Sequence, residues 1–247
     1  MLAPSERERY DRQIMIGSIG EEGQLTLKRS RVAIAGAGGL GSPIALYLAA
    51  AGVGMIRLID HDQVTLSNLN RQILHGEEDI GRKKVDSART TLRRLNATVE
   101  IEALAETITE DRIAQQVEGC GVIVDAMDNF PTRYILNRCA IEKNIPLIHG
   151  AVHGFEGRAL TIIPGETACL RCMYRGPIPQ EKFPVIGVAP AVIGSIQATE
   201  VIKVLLGIGK LLTNRLLVYD GLEATFSEFT IHKNPECDHC GSLAGKG

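Results

Sequence analysis

Tryptophan is absent from the 247 residues, and aromatic side chains of all kinds make up only 4%. The core is therefore left to Val, Ile, Leu and Ala, the residues that fill a sheet buried on both faces. An excess of charge of one sign is lacking too: 27 Lys and Arg face 29 Asp and Glu, a formal net charge of -2. No basic surplus is available for a phosphate backbone, so nucleic acid is not expected as a main partner. The first residues, Met1-Leu2-Ala3-Pro4-Ser5-Glu6-Arg7, lack the apolar run of a secretory signal, and the chain reads as cytoplasmic with no membrane partner. Neither an internal repeat nor a flexible linker is evident, so residues 1–247 read as one domain with room for a large core. No Ser/His/Asp or Cys/His constellation for nucleophilic catalysis stands out, and the six histidines show no metal-binding spacing. His149 and His153, at strand ends, read as packing or hydrogen-bonding residues.

Two uncharged stretches are present, Val32–Ile56 and Phe183–Thr199. The first is long enough to raise the question of a membrane span. Clustered glycines and Pro43 cut it into strand, turn, helix and strand, and the second holds two prolines and two glycines; both read as buried core. Apolar strand-like runs recur at Arg31–Ala35, Met55–Ile59, Thr98–Ala103, Gly121–Asp125 and Pro146–His149. Helical patterns lie between them, at Leu40–Ala51, Lys83–Leu95, Glu110–Val117 and Thr132–Lys143. This alternation predicts an α/β fold with a Rossmann-like parallel sheet covered on both faces. After about residue 150 the rhythm changes. Ala151–Pro164 reads as two strands turning at Phe155-Glu156-Gly157, followed by a loop, a long helix over Ala189–Leu206, and strands at Arg215–Tyr219 and Thr225–Ile231. These later strands extend the parallel sheet into a mixed one.

Gly36-x-Gly38-Gly39-x-Gly41 follows the first strand and opens a helix. Glycines so placed give a tight turn, bring backbone N–H groups close to an anion, and let helix and strand pack closely. Asp60 ends the next strand, about 20 residues downstream, where an acidic group holds ribose hydroxyls; Asp62 is a rival. These features suit any dinucleotide or nucleotide. The loop after Asp60 is long, and long loops are often functional. It carries Ser67-Asn68-Leu69-Asn70-Arg71-Gln72, a dense set of polar donors in which Arg71 can grip phosphate oxygens bidentately. Lys84 follows near a helix start, although spacing does not separate it from Lys83. Asp125 and Asp128, the latter followed by Asn129, lie at the carboxyl end of the fourth strand, where a carboxylate can hold Mg²⁺ on a polyphosphate. Asp125 serves equally well as a strand-end cap.

Four of the six cysteines form two C-x-x-C pairs, Cys169/Cys172 and Cys237/Cys240. Four thiolates make a closed tetrahedral Zn²⁺ site, and a closed site is structural. Such a metal pins the end of the chain to its middle. Redox disulfides are the alternative, and His239 could stand in for one cysteine. Cys120 and Cys139 read as buried, inert thiols.

In this order these residues resemble the MoeB/ThiF/HesA group of ubiquitin-activating-enzyme-like adenylyltransferases. The resemblance starts at Arg9-Tyr10-Asp11-Arg12-Gln13 and runs through Gly36–Gly41, Asp60-His61-Asp62, Ser67–Gln72, Lys84 and Asp128-Asn129. It continues through Gln197-Ala198-Thr199-Glu200 to Asn234-Pro235-x-Cys237-x-x-Cys240. It implies that Asp60 binds ribose, that Asn68, Arg71 and Lys84 contact the phosphates of ATP, and that Asp128 holds Mg²⁺. It further implies a homodimer in which Arg12 reaches into the partner's site, with the four paired cysteines on Zn²⁺. The substrate would be the C-terminal glycine of a ubiquitin-like sulfur carrier similar to MoaD or ThiS. Residues 1–150 would be the nucleotide-binding half and residues 151–247 the half that meets carrier and zinc. Some members carry a cysteine after the first C-x-x-C; here Gln180 stands about there, and no sulfurtransferase domain is evident, so sulfur would come from an external donor.

The chemistry suits this inventory. A C-terminal carboxylate, with a pKa of about 3.5, is already an anionic nucleophile at neutral pH. Catalysis then reduces to holding two anions together and neutralising charge on the transferring group. Three other readings compete: adenylylation of a small-molecule or peptide carboxylate, a nicotinamide-dependent oxidoreductase, and a non-catalytic nucleotide-binding scaffold.

Overall fold

A computed structural model describes residues 1–174 and 183–241; Gln180 lies outside them. Three helices, which the βα rhythm does not announce, come first: α1 (Pro4–Arg9), α2 (Asp11–Ile14) and α3 (Gly20–Arg29). Then follow β1 (Arg31–Ala35), α4 (Gly41–Ala51), β2 (Met55–Ile59), α5 (Lys84–Leu95), β3 (Glu100–Leu104), α6 (Ile113–Gln116), β4 (Val122–Asp125) and α7 (Phe130–Lys143). The remainder is β5 (Leu147–His153), β6 (Glu156–Ile162), α8 (Leu170–Met173), α9 (Val188–Leu206), β7 (Arg215–Asp220) and β8 (Thr225–Thr230).

The strands form one sheet in the order β3-β2-β1-β4-β5-β6-β7-β8. The first five run parallel, and β5 to β8 pair antiparallel. This is the Rossmann-like mixed sheet that the alternation predicts. Side chains alternate across it. Val32 and Ile34 join the core under α4, α5 and α9, while Ala33 and Ala35 join the opposite core with Leu136 of α7 and the four paired cysteines. β4 is buried along its whole length and the edge strand β8 is exposed along its own.

One strand is longer than its sequence suggests. Pro146–His149 and the first strand after Ala151 are a single element, β5, because Gly150 does not interrupt it. The glycine is needed to admit a neighbour: a Cβ there would lie 2.2 Å from Gln197 Oε1. From α9, Gln197 Nε2 donates to the carbonyls of Asp125 (2.8 Å) and Ile148 (3.2 Å), tying the helix to two strand ends. Conversely, the helix expected over Glu110–Val117 shortens to the single turn of α6.

Among the described residues, α9 is the one helix long and apolar enough to cross a membrane; it is 44% buried, packed against α4, β5 and β6. Glu200 on its inner side accepts from Thr161 Oγ1 (2.5 Å) and the Leu212 amide (2.7 Å). The N-terminal helices are latched to the end of α4. The ring of Tyr10 fills the space that a side chain at Gly52 would need, and Gln13 Nε2 donates to the carbonyl of Ala51 at 3.1 Å.

Candidate active site

Register sets the site. Ala35 pairs with Ile59 on one side and Asp125 on the other, so β1, β2 and β4 end level. The residues that follow, Gly36, Asp60 and Ala126, therefore meet at the carboxyl edge of the sheet. There the chain order reverses, with β2 on one side of β1 and β4 on the other. Ligands of open α/β sheets bind at such a switch point. A cavity of about 1330 Å³ opens there.

The glycines divide by role. Gly36 has φ 101°, and a Cβ on Gly41 would lie 2.0 Å from the Gly36 carbonyl oxygen, so these two are required by the turn and the helix contact. A Cβ on Gly38 or Gly39 would meet nothing closer than 3.3 Å. Both line the cavity, which is what close approach of a ligand to the backbone demands. Asp60 holds the turn in place: its Oδ2 accepts from the Ala37 amide at 2.8 Å and its Oδ1 from the Asp62 amide at 2.9 Å.

The long loop contributes Ser67, Asn70, Arg71 and Gln72 to the wall. Arg71 Nη1 donates to the Ser67 carbonyl (2.9 Å) and Asn70 Oδ1 (3.0 Å), which folds the guanidinium onto its own loop. Gln72 is buried beside Gly38, and its Oε1 has no hydrogen-bond partner among the described residues. Asn68 instead accepts from the Thr65 amide (3.1 Å); it, Leu69 and Gly41 do not line the cavity.

Lys84 opens α5 with its side chain 8% exposed, and its Nζ donates to Asp62 Oδ2 at 2.9 Å. Burial alone would raise the Asp62 carboxyl, but the hydrogen bond and charge of Lys84 outweigh it and hold the pKa below the usual range. Lys83 is turned away, donating to the His61 carbonyl at 2.7 Å. Asp128, exposed, and Asn129 line the opposite wall. Asn129 also caps α7, its Oδ1 accepting from the Thr132 amide at 3.0 Å. Arg12 lies on the outer side of α2, exposed and away from this cavity.

Asp125, which the sequence left open between metal ligand and strand-end cap, and three residues that it did not mark for the site support it. Asp125 is fully buried; its Oδ1 accepts from the Met127 amide (3.0 Å) and its Oδ2 pairs with His149 Nδ1 (2.6 Å). Arg133, which lines the cavity, donates to the Met127 carbonyl at 2.6 Å. Asp125 and Arg133 thus hold both sides of the residue before Asp128. Burial drives the His149 pKa down, against the pull of Asp125. The fourth is His75, under the glycine turn. His153, by contrast, stands exposed at the cavity wall. Cys120 and Cys139 are buried, and burial pushes both thiols up.

On the far side of α7 the paired cysteines converge. Sγ of Cys169 lies 3.9 Å from Cys172 and 3.6 Å from Cys237, and Cys172 lies 3.4 Å from Cys240. Sulfurs about 2.3 Å from a tetrahedral metal stand about 3.8 Å apart, so the spacing suits an ion. All four are buried, and the Asn234 amide donates to Cys172 Sγ at 3.3 Å. Burial and neighbouring sulfurs push Cys169 up to about 11 and Cys240 higher still; a divalent cation removes that penalty. His239 is engaged elsewhere, its Nδ1 2.8 Å from Asn137 Nδ2.

Known proteins are similar to this chain. The sulfur carrier protein adenylyltransferase of Thermus thermophilus is 43% identical, over 96% of this chain and 91% of its own length. The SAMP-activating enzyme E1 of Haloferax volcanii is also 43% identical, over 97% and 91%. The crystal structure of E. coli MccB with ATP superposes with a TM-score of 0.84 at 25% identity, covering 94% of this chain and 74% of that one. Residues 10–239 match the model of the ThiF family, and the chain belongs to that family.

Proposed function

We propose that this protein is an ATP-dependent adenylyltransferase that activates the C-terminal carboxylate of a ubiquitin-like sulfur-carrier protein. The carrier substrate is supported by the names of the two relatives that match nearly end to end. One observation carries the reading: Gly38, Gly39, Arg71, Gln72, Lys84 and Asp128 face a single cavity at the end of β1, β2 and β4. That set suits a polyphosphate.

The carrier's terminal carboxylate attacks the α-phosphorus of ATP, an oxygen–phosphorus bond forms, and the bond to the β-phosphate oxygen breaks to release pyrophosphate. No general base is required, because the nucleophile is already ionised. The chain's own residues do the positioning. Amides of the glycine turn and the ammonium of Lys84 face the phosphates, Arg71 leaves its loop carbonyl for a phosphate oxygen, and Asp60 turns a free lone pair to the ribose. Asp128 is the residue that would hold Mg²⁺, which when bound neutralises phosphate charge. Cys169, Cys172, Cys237 and Cys240 would hold Zn²⁺ as a structural ion. Arg12 would serve the site of a second subunit in a homodimer, since Tyr10 and Gln13 anchor α2 and leave it exposed. Residues 1–150 handle nucleotide and residues 151–247 the carrier and zinc. A sulfur nucleophile of an external donor then attacks the acyl carbon of the adenylate, a carbon–sulfur bond forms and AMP leaves. ATP and reduced thiols suit a cytoplasmic setting.

The test is exchange of labelled pyrophosphate into ATP by the purified chain with a small protein ending in Gly-Gly. Carrier-dependent exchange is the expected result. Exchange driven by a small carboxylate without any carrier, or none at all, overturns the assignment.

A further inference from the structure

Beneath the glycine turn lies a buried imidazole that no step of adenylylation uses. His75 is 8% exposed, and both ring nitrogens are engaged: Nδ1 is 2.8 Å from Ser87 Oγ and Nε2 is 3.0 Å from the Ala37 carbonyl oxygen. A carbonyl only accepts, so Nε2 carries the proton, and Nδ1 faces the Ser87 hydroxyl, which also interacts with the Asp79 carboxylate. Burial favours the neutral ring, holding its pKa down against the pull of the Ala37 carbonyl.

The two partners belong to different elements beside the cavity, the turn that lines it with Gly36 and Gly38 and the helix that lines it with Lys84. Ala37 sits between Gly36 and Gly38, and its amide is already fixed by Asp60. Ser87 lies on α5, near the Lys84 that opens the helix, and is itself fully buried. The imidazole is therefore a strut between the turn whose amides face the cavity and the helix whose first residue supplies the ammonium.

We infer that His75 is a positioning residue for ATP: it fixes the distance between the glycine turn and the first turn of α5, so that backbone amides and Lys84 meet one polyphosphate together. This rests on the reading of the cavity as an ATP site. A ring that merely filled the core would be replaceable by any side chain of equal bulk. A strut requires its hydrogen bonds.

That difference sets the experiment. His75→Phe keeps the volume and makes neither bond; His75→Gln places an amide N–H₂ where Nε2 stands and can still donate to Ala37. ATP binding is measured by calorimetry, alongside the unfolding midpoint and the KM for ATP and kcat of pyrophosphate exchange. In His75→Phe, ATP binding weakens about five- to tenfold, the size expected when a buried hydrogen bond that holds a binding loop is lost. His75→Gln recovers most of that loss, and the KM for ATP rises while kcat changes little. Should His75→Phe fail to fold, Ser87→Ala carries the test, with a loss of about two- to fivefold expected from removing one end of the strut.

If the wild-type chain binds ATP and His75→Phe (or Ser87→Ala in its place) binds it within about twofold of wild type, which is less than a single lost hydrogen bond, the inference fails and the ATP reading stands. The inference also fails if His75→Gln binds no better than His75→Phe. If the wild-type chain binds no ATP, the reading of the cavity itself fails, and the strut with it.

Discussion

Lys84 Nζ lies 2.9 Å from Asp62 Oδ2, with the lysine side chain 8% exposed and the carboxylate 52% exposed. A nearly enclosed ammonium costs free energy unless it is paired, and Asp62 pairs with this one at the cavity wall. The next residue back, Lys83, is spent on a backbone carbonyl. Lys84→Met is therefore expected to slow pyrophosphate exchange by about 10²–10³-fold, as removal of a group that stabilises developing charge does. Lys83→Met stays near the wild-type rate. Equal losses in the two variants would contradict the assignment.

Asp128 is exposed in the cavity while the adjoining Asn129 caps α7. Asp128→Ala should abolish exchange yet shift stability by no more than about 0.5 kcal/mol, as surface substitutions do. In a homodimer with shared sites, mixing Asp128→Ala with Arg12→Ala subunits restores one intact site. Verified mixed dimers that remain inactive would count against the sharing of Arg12.

Metal analysis of the purified chain should find one zinc per chain, and Cys172→Ser should lose it. The apo chain loses several kcal/mol of stability, because metal binding and folding are one equilibrium when four thiolates must be held together. Zinc retention also falls as pH falls, since protons compete for the sulfurs. An unchanged denaturation midpoint after complete zinc removal would refute the structural role.

Burial of His75 and His149 in the neutral form has a sign that denaturation can read. Their folded pKa values lie below the ordinary histidine value. The unfolded chain therefore binds more protons, and stability, complete above about pH 6.5, is lost as pH falls below it, by at most about 1.4 kcal/mol per pH unit for each ring. Urea denaturation at pH 7.5 and pH 5.5 checks this. His149→Phe should make the loss shallower; the same slope in both proteins would show that His149 is not the titrating group.

Much of the fold is legible in the sequence because β1, β2 and β4 are short apolar runs separated by helices, and a parallel sheet leaves such strands no other use. The error at Gly150 is instructive. Glycine inside an apolar run signals a break when read locally, yet here it answers to Gln197, which lies on a helix far along the chain. Similarly, Asp125 looks like a cap at a strand end, and only the fold brings His149 and Arg133 to it. His75 carries no local signal at all. Its role comes from Ala37 and Ser87, which sequence separation hides.

The order of glycines, polar loop, acidic residue and paired cysteines is a property of the chain itself, and it points to the family that the ThiF match shows. Those residue types are chemically rare together, and their spacing matches the repeat of strand and helix. Tertiary structure alone decided that Gly38 and Gly39 line the cavity while Gly36 and Gly41 serve the turn, and it gave Lys84, which spacing could not separate from Lys83, a place on the cavity wall. Neighbouring residues on a chain differ by a rotation, and which rotation faces the ligand is fixed by what the element packs against.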